Sequence, residues 1–107
     1  MKLSVIMVTL NAAKHLQRAL DSLALQTHRE LEVIVVDGGS TDDTLAMVQA
    51  PTRLPLRLLT GPDEGIFDAM NKGLAAASGQ AVYFLNADDA LAQPGSLAAL
   101  AQSMRRS

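Results

Sequence analysis

A chain of 107 residues with 49% hydrophobic and 19% charged residues has enough apolar content to bury a core, which excludes a disordered chain, and the length of one domain. A formal net charge of −2 leaves no basic footprint for nucleic acid, although loops and helix ends can still hold a single nucleotide. With no cysteine, disulfides, thiolate zinc and a cysteine nucleophile are excluded, and 3% aromatic residues leave little for stacking platforms.

Leu3–Thr9 reads as a first strand buried on both faces, because its apolar residues run together rather than alternate. The apolar run that ends at Leu10 is too short for a membrane span and lacks a signal-peptide pattern, so the expected location is cytoplasmic, at most peripheral to the inner membrane. Asn11 is placed as the N-cap of a helix over 12–25, with Leu16, Ala19, Leu20 and Leu23 on one face.

A second strand over 32–36 runs into the turn Asp37-Gly38-Gly39-Ser40, whose paired glycines permit positive φ or close approach of a ligand. Ser40 or Thr41 is expected to cap a helix over 42–49, with Asp42 and Asp43 in its first turn and Pro51 as its stop. A short third strand spans 56–60, and 61–65 is a turn cluster. Phe67, Met70, Leu74 and Ala77 then keep helical spacing, with Met70 and Leu74 as the buried face, until Gly79. A fourth strand covers 81–85, and Pro94 opens a last helix with Leu97, Leu100, Ala101 and Met104 inward and Arg105 and Arg106 at its end.

Strands joined by helices of this length predict right-handed crossovers and an α/β, doubly wound, mostly parallel sheet of order 3-2-1-4. The topological switch then lies between strands 1 and 4, which brings Thr9, Asn11, Asp37 and residues 86–89 around one crevice. In that crevice Asp37 can accept from the imino N–H of a base while Thr9 and Asn11 contact the ring or ribose; equally, Asp before Gly can simply close its own turn. Asp88 and Asp89 invite a hard cation such as Mg²⁺ or Mn²⁺, yet the bare pair reads first as a solvated turn before Pro94. Asp68, Asn71 and Lys72 share part of a helix near the same strand ends, with Lys72 suited to phosphate and the other two to sugar hydroxyls, or form an ordinary exposed face. His15 and His28 are read as surface residues and the five methionines as core fillers.

The segments VTLNAAKHLQRALDSLALQT, EVIVVDGGSTDDT, DEGIFDAMNKGLAAASGQ and VYFLNADD, in this order, resemble the N-terminal half of family 2 inverting glycosyltransferases, and DEGIFDAMNKG resembles the branch that builds bacterial surface polysaccharides. The resemblance implies a nucleotide-diphospho-sugar transferase-like (GT-A) fold and a donor site drawn from Thr9, Asn11, Asp37, Ser40, Asp68, Asn71, Lys72, Asn86, Ala87 and Asp88. Within it Asp37 would contact the nucleobase, and Asp88 would be the aspartate of the DxD motif that meets Mg²⁺ or Mn²⁺. Asn86 stands at the motif's first aspartate, keeping an oxygen acceptor and losing a charge, and Met70 stands where many relatives carry Arg.

In such enzymes a carboxylate base from the C-terminal half deprotonates the acceptor hydroxyl, whereas residues 90–107 contain no Asp, Glu or His. The expectation is therefore that residues 1–107 form a single truncated nucleotide-sugar-binding domain that binds nucleotide without turnover, the complete enzyme taking a sugar or lipid-linked acceptor. Strand 4 would offer an open edge for a homodimer, and a self-associating scaffold without catalysis is the competing reading. A dinucleotide oxidoreductase would need its glycine fingerprint where Thr9-Leu10-Asn11-Ala12-Ala13 stands, and a receiver-type phosphoacceptor would need an acidic pair after strand 1.

Overall fold

The structure, a computed structural model, describes residues 1–61 and 65–105; the expectations made for Pro62, Asp63, Glu64 and Arg106 lie outside these residues. Strands β1 (Leu3–Thr9), β2 (Leu31–Asp37), β3 (Leu56–Thr60) and β4 (Ala81–Phe84) alternate with helices α1 (Ala13–Ala24), α2 (Thr44–Gln49), α3 (Ile66–Ala76) and α4 (Ser96–Arg105). The sheet order is β3-β2-β1-β4 and every pairing is parallel, as the strand–helix alternation requires. Register aligns Thr9 with Asp37 and Asp37 with Thr60, so three polar side chains close the carboxyl edge of the three strands.

Side chains alternate across each strand, so each of β1 and β2 feeds two cores. Leu3, Val5, Met7, Val33 and Val35 pack with Leu16, Leu20 and Leu23 of α1, Val48 of α2 and Leu97 and Ala101 of α4. On the other face Ile6, Ile34 and Val36 meet Ala69 of α3. The inward faces expected for α1 and α4 are those observed, although α4 begins at Ser96 rather than Pro94. Pro94 instead accepts a 2.8 Å hydrogen bond from the Thr27 amide through its carbonyl, which fixes the segment ahead of the helix.

Helix α3 departs from expectation. Its buried residues are Ala69 and Gly73, while Phe67 is 79% and Leu74 43% exposed. The physical reason is close approach to the sheet: a Cβ on Gly73 would lie 2.5 Å from Ile6 Cγ2, leaving no room for a leucine on that side. Ile66, Phe67 and Leu74 are turned outward, and Met70 is half-buried.

At the amino end of the strands Ser4, fully buried, donates its hydroxyl to Glu32 and accepts from the Gly79 amide at 2.8 Å. Ser78 adds its amide and hydroxyl to the same carboxylate oxygen, and Lys2 Nζ lies 3.8 Å from the other. Partial burial raises the Glu32 carboxyl, but the Ser4 and Ser78 hydrogen bonds and the Lys2 charge outweigh it and bring it down to about 2 from 4.5. A depressed native value makes this contribution complete above pH 4.5 and removes it as pH falls through about 2. Glu32→Gln is predicted to lower stability at pH 7 by about 1–3 kcal/mol and to flatten the acid limb between those values. Urea unfolding across that range checks it, and an acid limb as steep as that of the parent chain contradicts it.

Candidate functional site

The carboxyl end of β2 is built on the side chain of Asp37, which is 1% exposed. Its Oδ1 accepts from the hydroxyls of Thr9 and Ser40, each at 2.6 Å, and its Oδ2 from the amides of Gly39 at 3.0 Å and Ser40 at 2.8 Å. Gly39 supplies the positive φ of 107° that lets the loop wrap the carboxylate. Burial raises the Asp37 carboxyl, while the Ser40 and Thr9 hydroxyls and the two amides together hold it below the usual carboxylate range. Asp37 is thus an ionised acceptor whose four lone-pair positions are filled by its own surroundings.

The loop after β1 is tied to the loop after β2. Asn11 has φ 51°, its amide donates to Ser40 Oγ at 2.8 Å, and its Oδ1 accepts from the amides of Thr41 at 2.8 Å and Asp42 at 3.3 Å. Asn11 is therefore not the N-cap of α1: Ala12 occupies that position without a side-chain cap bond. The first amides of the helix are satisfied from the neighbouring loop and α2, Ala12 by Thr44 Oγ1 at 2.9 Å and Ala13 by Asp42 Oδ2 at 3.1 Å. Helix α2 in turn begins at Thr44 with Asp43 before it, so neither Ser40 nor Thr41 caps it, and Asp42 and Asp43 precede its first turn. Asp42 thus serves both helices, its Oδ1 accepting from the Thr44 amide at the start of α2 at 2.9 Å and its Oδ2 from the Ala13 amide of α1, while Asn11 and Ser40 bridge the two loops.

At the end of β4, Asn86 Nδ2 donates to Asp89 Oδ2 at 3.3 Å, and the Asp89 amide to the Asn86 carbonyl at 3.0 Å. Asp89 is folded back on this turn, so the two carboxylates do not compete for one place. Asp88 is exposed, and no hydrogen bond or ion pair among the described residues engages it. Asn86, Ala87 and Asp88 share an open pocket of about 450 Å³ with Val8, Leu10, Asn11, Ala12 and His15.

The residues expected around one crevice fall into two groups. Asn11, Asn86, Ala87 and Asp88 line the pocket. Thr9, Asp37 and Ser40 are bonded together at the neighbouring strand ends and do not line it. Asp68, Asn71 and Lys72 lie on α3 outside the pocket, with Lys72 Nζ 3.5 Å from Asp68 Oδ2. His15 is exposed, as expected of a surface residue, and it also lines the pocket from α1.

No cluster of three or more His, Asp or Glu side chains suited to a metal occurs among the described residues. The donor set here is the free Asp88 carboxylate and the Asn86 Oδ1, whose amide nitrogen is occupied by Asp89. A hard cation that draws its remaining oxygens from a diphosphate and water fits such a set.

Comparison with known proteins defines the class. The chain matches the Glycosyl transferase family 2 model over residues 4–107. It is 46% identical over 102 residues to the PGL/p-HBAD biosynthesis glycosyltransferase of Mycobacterium bovis (strain BCG / Pasteur 1173P2), a match that takes in 92% of this chain and 40% of that relative. Among solved structures, S. aureus TarS 1-349 in complex with UDP-GlcNAc superposes with a TM-score of 0.91 at 34% identity, over 99% of this chain and 32% of that one. The mannosyltransferase PcManGT from Pyrobaculum calidifontis, in complex with GDP-Man and Mn²⁺, gives 0.82 at 33% identity, over 87% of this chain and 29% of that one. The chain belongs to glycosyl transferase family 2, and its four-stranded sheet is the N-terminal half of the GT-A fold. It spans less than half the length of these relatives. No helix among the described residues is long and apolar enough to cross a membrane.

Proposed function

We propose that residues 1–107 are the donor-binding half of an inverting glycosyltransferase, taking a nucleotide-diphospho-sugar and Mg²⁺ or Mn²⁺ at the carboxyl ends of β1, β2 and β4. The observation that carries this reading is the unengaged Asp88 carboxylate in the pocket shared by Asn11, His15 and Asn86. The complexes of TarS with UDP-GlcNAc and of PcManGT with GDP-Man and Mn²⁺ support it, since both share this sheet. In this reading Asp88 and Asn86 Oδ1 hold the cation, which supplies charge neutralisation for a departing diphosphate.

Asn11, Ala87 and the backbone of the β2 loop border the nucleoside, and Asp37 accepts from the base when one of its hydroxyl donors, Thr9 or Ser40, turns away. Lys72, with Asp68 and Asn71, approaches phosphate and sugar from α3. In this reading the general base and the binding of a sugar or lipid-linked acceptor lie outside residues 1–107, since residues 90–107 offer no Asp, Glu or His. A role in bacterial surface-polysaccharide synthesis at the cytoplasmic side of the inner membrane belongs to the same proposal.

Calorimetric titration of UDP and GDP, each with and without Mn²⁺, tests it against the parent chain and Asp88→Ala. The expected result is metal-dependent binding of at least one diphosphate that weakens at least tenfold in Asp88→Ala. Absence of binding by the folded parent chain, or equal binding by the variant, contradicts the reading.

The open edge supports a second feature. β4 pairs on one side only and carries Phe84, 39% exposed, which favours a homodimer formed edge to edge. Sedimentation velocity at rising concentration should show growth of a dimer, and a concentration-independent monomer would remove it.

A further inference from the structure

The amino edge of the sheet holds a second recess, on the side of the molecule opposite the carboxyl-end loops. It has a volume of about 300 Å³ and lies between the end of α1, the segment entering β2 and the segment entering β3. Leu23, Leu31, Leu54 and Pro55 give it apolar walls, while Arg29 and Arg53 stand at its rim. No carboxylate lines it. In a chain of formal net charge −2, two arginines lining one recess with no carboxylate in its lining depart from the mixed-sign arrangement of an ordinary surface.

The carboxylates nearest in sequence are committed elsewhere. Glu30 lies 3.5 Å from the amino terminus, and Glu32 is held by Lys2, Ser4 and Ser78. No hydrogen bond or ion pair among the described residues engages either guanidinium. His28, which also lines the recess, has its Nε2 2.7 Å from the Met1 carbonyl, so its ring is fixed by the backbone rather than by an acid. The carboxyl end of α1 contributes a partial negative charge there, but two full positive charges exceed it.

A guanidinium fork matches a phosphate bidentately, and its own weak hydration lowers the cost of bringing it against one. An apolar wall between two such forks adds a place for carbon attached to that phosphate. We propose that this recess binds the phosphate of a phospholipid headgroup, Arg29 and Arg53 grasping the phosphate while Leu54 and Pro55 meet the glycerol and first acyl carbons. The amino edge of the sheet then rests on an anionic membrane surface and the carboxyl-end loops face away from it.

Flotation of the 107-residue chain with vesicles of phosphatidylcholine, alone or containing phosphatidic acid, tests this without any nucleotide. Arg29→Ala/Arg53→Ala removes the rim, and Lys14→Ala/Arg18→Ala on α1 makes the same change in net charge elsewhere. Both rim residues are exposed, and Arg29→Gln/Arg53→Gln serves if the alanine form fails to fold. The chain is expected to float with anionic vesicles only, the rim variants weakening about tenfold or more and the α1 variant less than twofold.

Equal weakening by both pairs would reduce the effect to diffuse surface charge and overturn the site. Absence of flotation overturns it as well. If inorganic phosphate perturbs the Arg29 and Arg53 side-chain resonances while vesicles bind nothing, the recess takes soluble phosphate and the lipid assignment fails.

Discussion

The buried carboxylate of Asp37 is the constraint on which the upper face of the sheet depends. Four donors converge on it from the end of β1 and the loop after β2. Ser40, held by that carboxylate, accepts from the Asn11 amide, and Asn11 in turn binds the amides of Thr41 and Asp42. The start of α1 is then satisfied by Asp42 and Thr44. A buried charged group is stable only with such a full set of donors, and each donor fixes another piece of backbone. Asn11, which lines the pocket opposite Asp88, owes its left-handed conformation to this network.

Strand content and order were legible because β1 and β2 are continuous apolar runs and the α1 face repeats at helical spacing. Those signals reflect burial, which the sequence encodes residue by residue. The capping positions shifted because a hydroxyl or carboxylate before a helix reads the same whether it bonds its own helix, a neighbour's or both: Asp42 accepts from the Thr44 amide of α2 and the Ala13 amide of α1, and Thr44 Oγ1 accepts from the Ala12 amide. Helix α3 was misjudged because size was taken for burial. Contact between Gly73 and Ile6 selects the small face, a tertiary condition that periodicity does not carry.

The site was legible in its members and not in its layering. Spacing placed Thr9, Asn11, Asp37 and Asp88 at adjoining strand ends, and the parallel register puts them there. Whether a side chain faces a ligand or supports one that does depends on which donors reach it. Thr9 and Ser40 spend their hydroxyls on Asp37, whereas Asp88 is left open. The two edges of the sheet thus differ in kind, one laced by donors around the Asp37 carboxylate with Asp88 left open beside it, the other bordered by unpaired arginines. The proposed donor site lies at the first of these edges, and the second is a property of this chain's own residues.

The central claim is that one carboxylate organises both loops of the pocket. Amide hydrogen exchange on Asp37→Asn, compared with the parent chain, tests it most directly, because the amide nitrogen of Asn faces donors where an oxygen accepted them. The account predicts faster exchange at Gly39 and Ser40 together with Asn11, Ala12 and Ala13, while the amides of β1 and β2 keep their protection. Faster exchange confined to Gly39 and Ser40, with the loop after β1 unchanged, would contradict it.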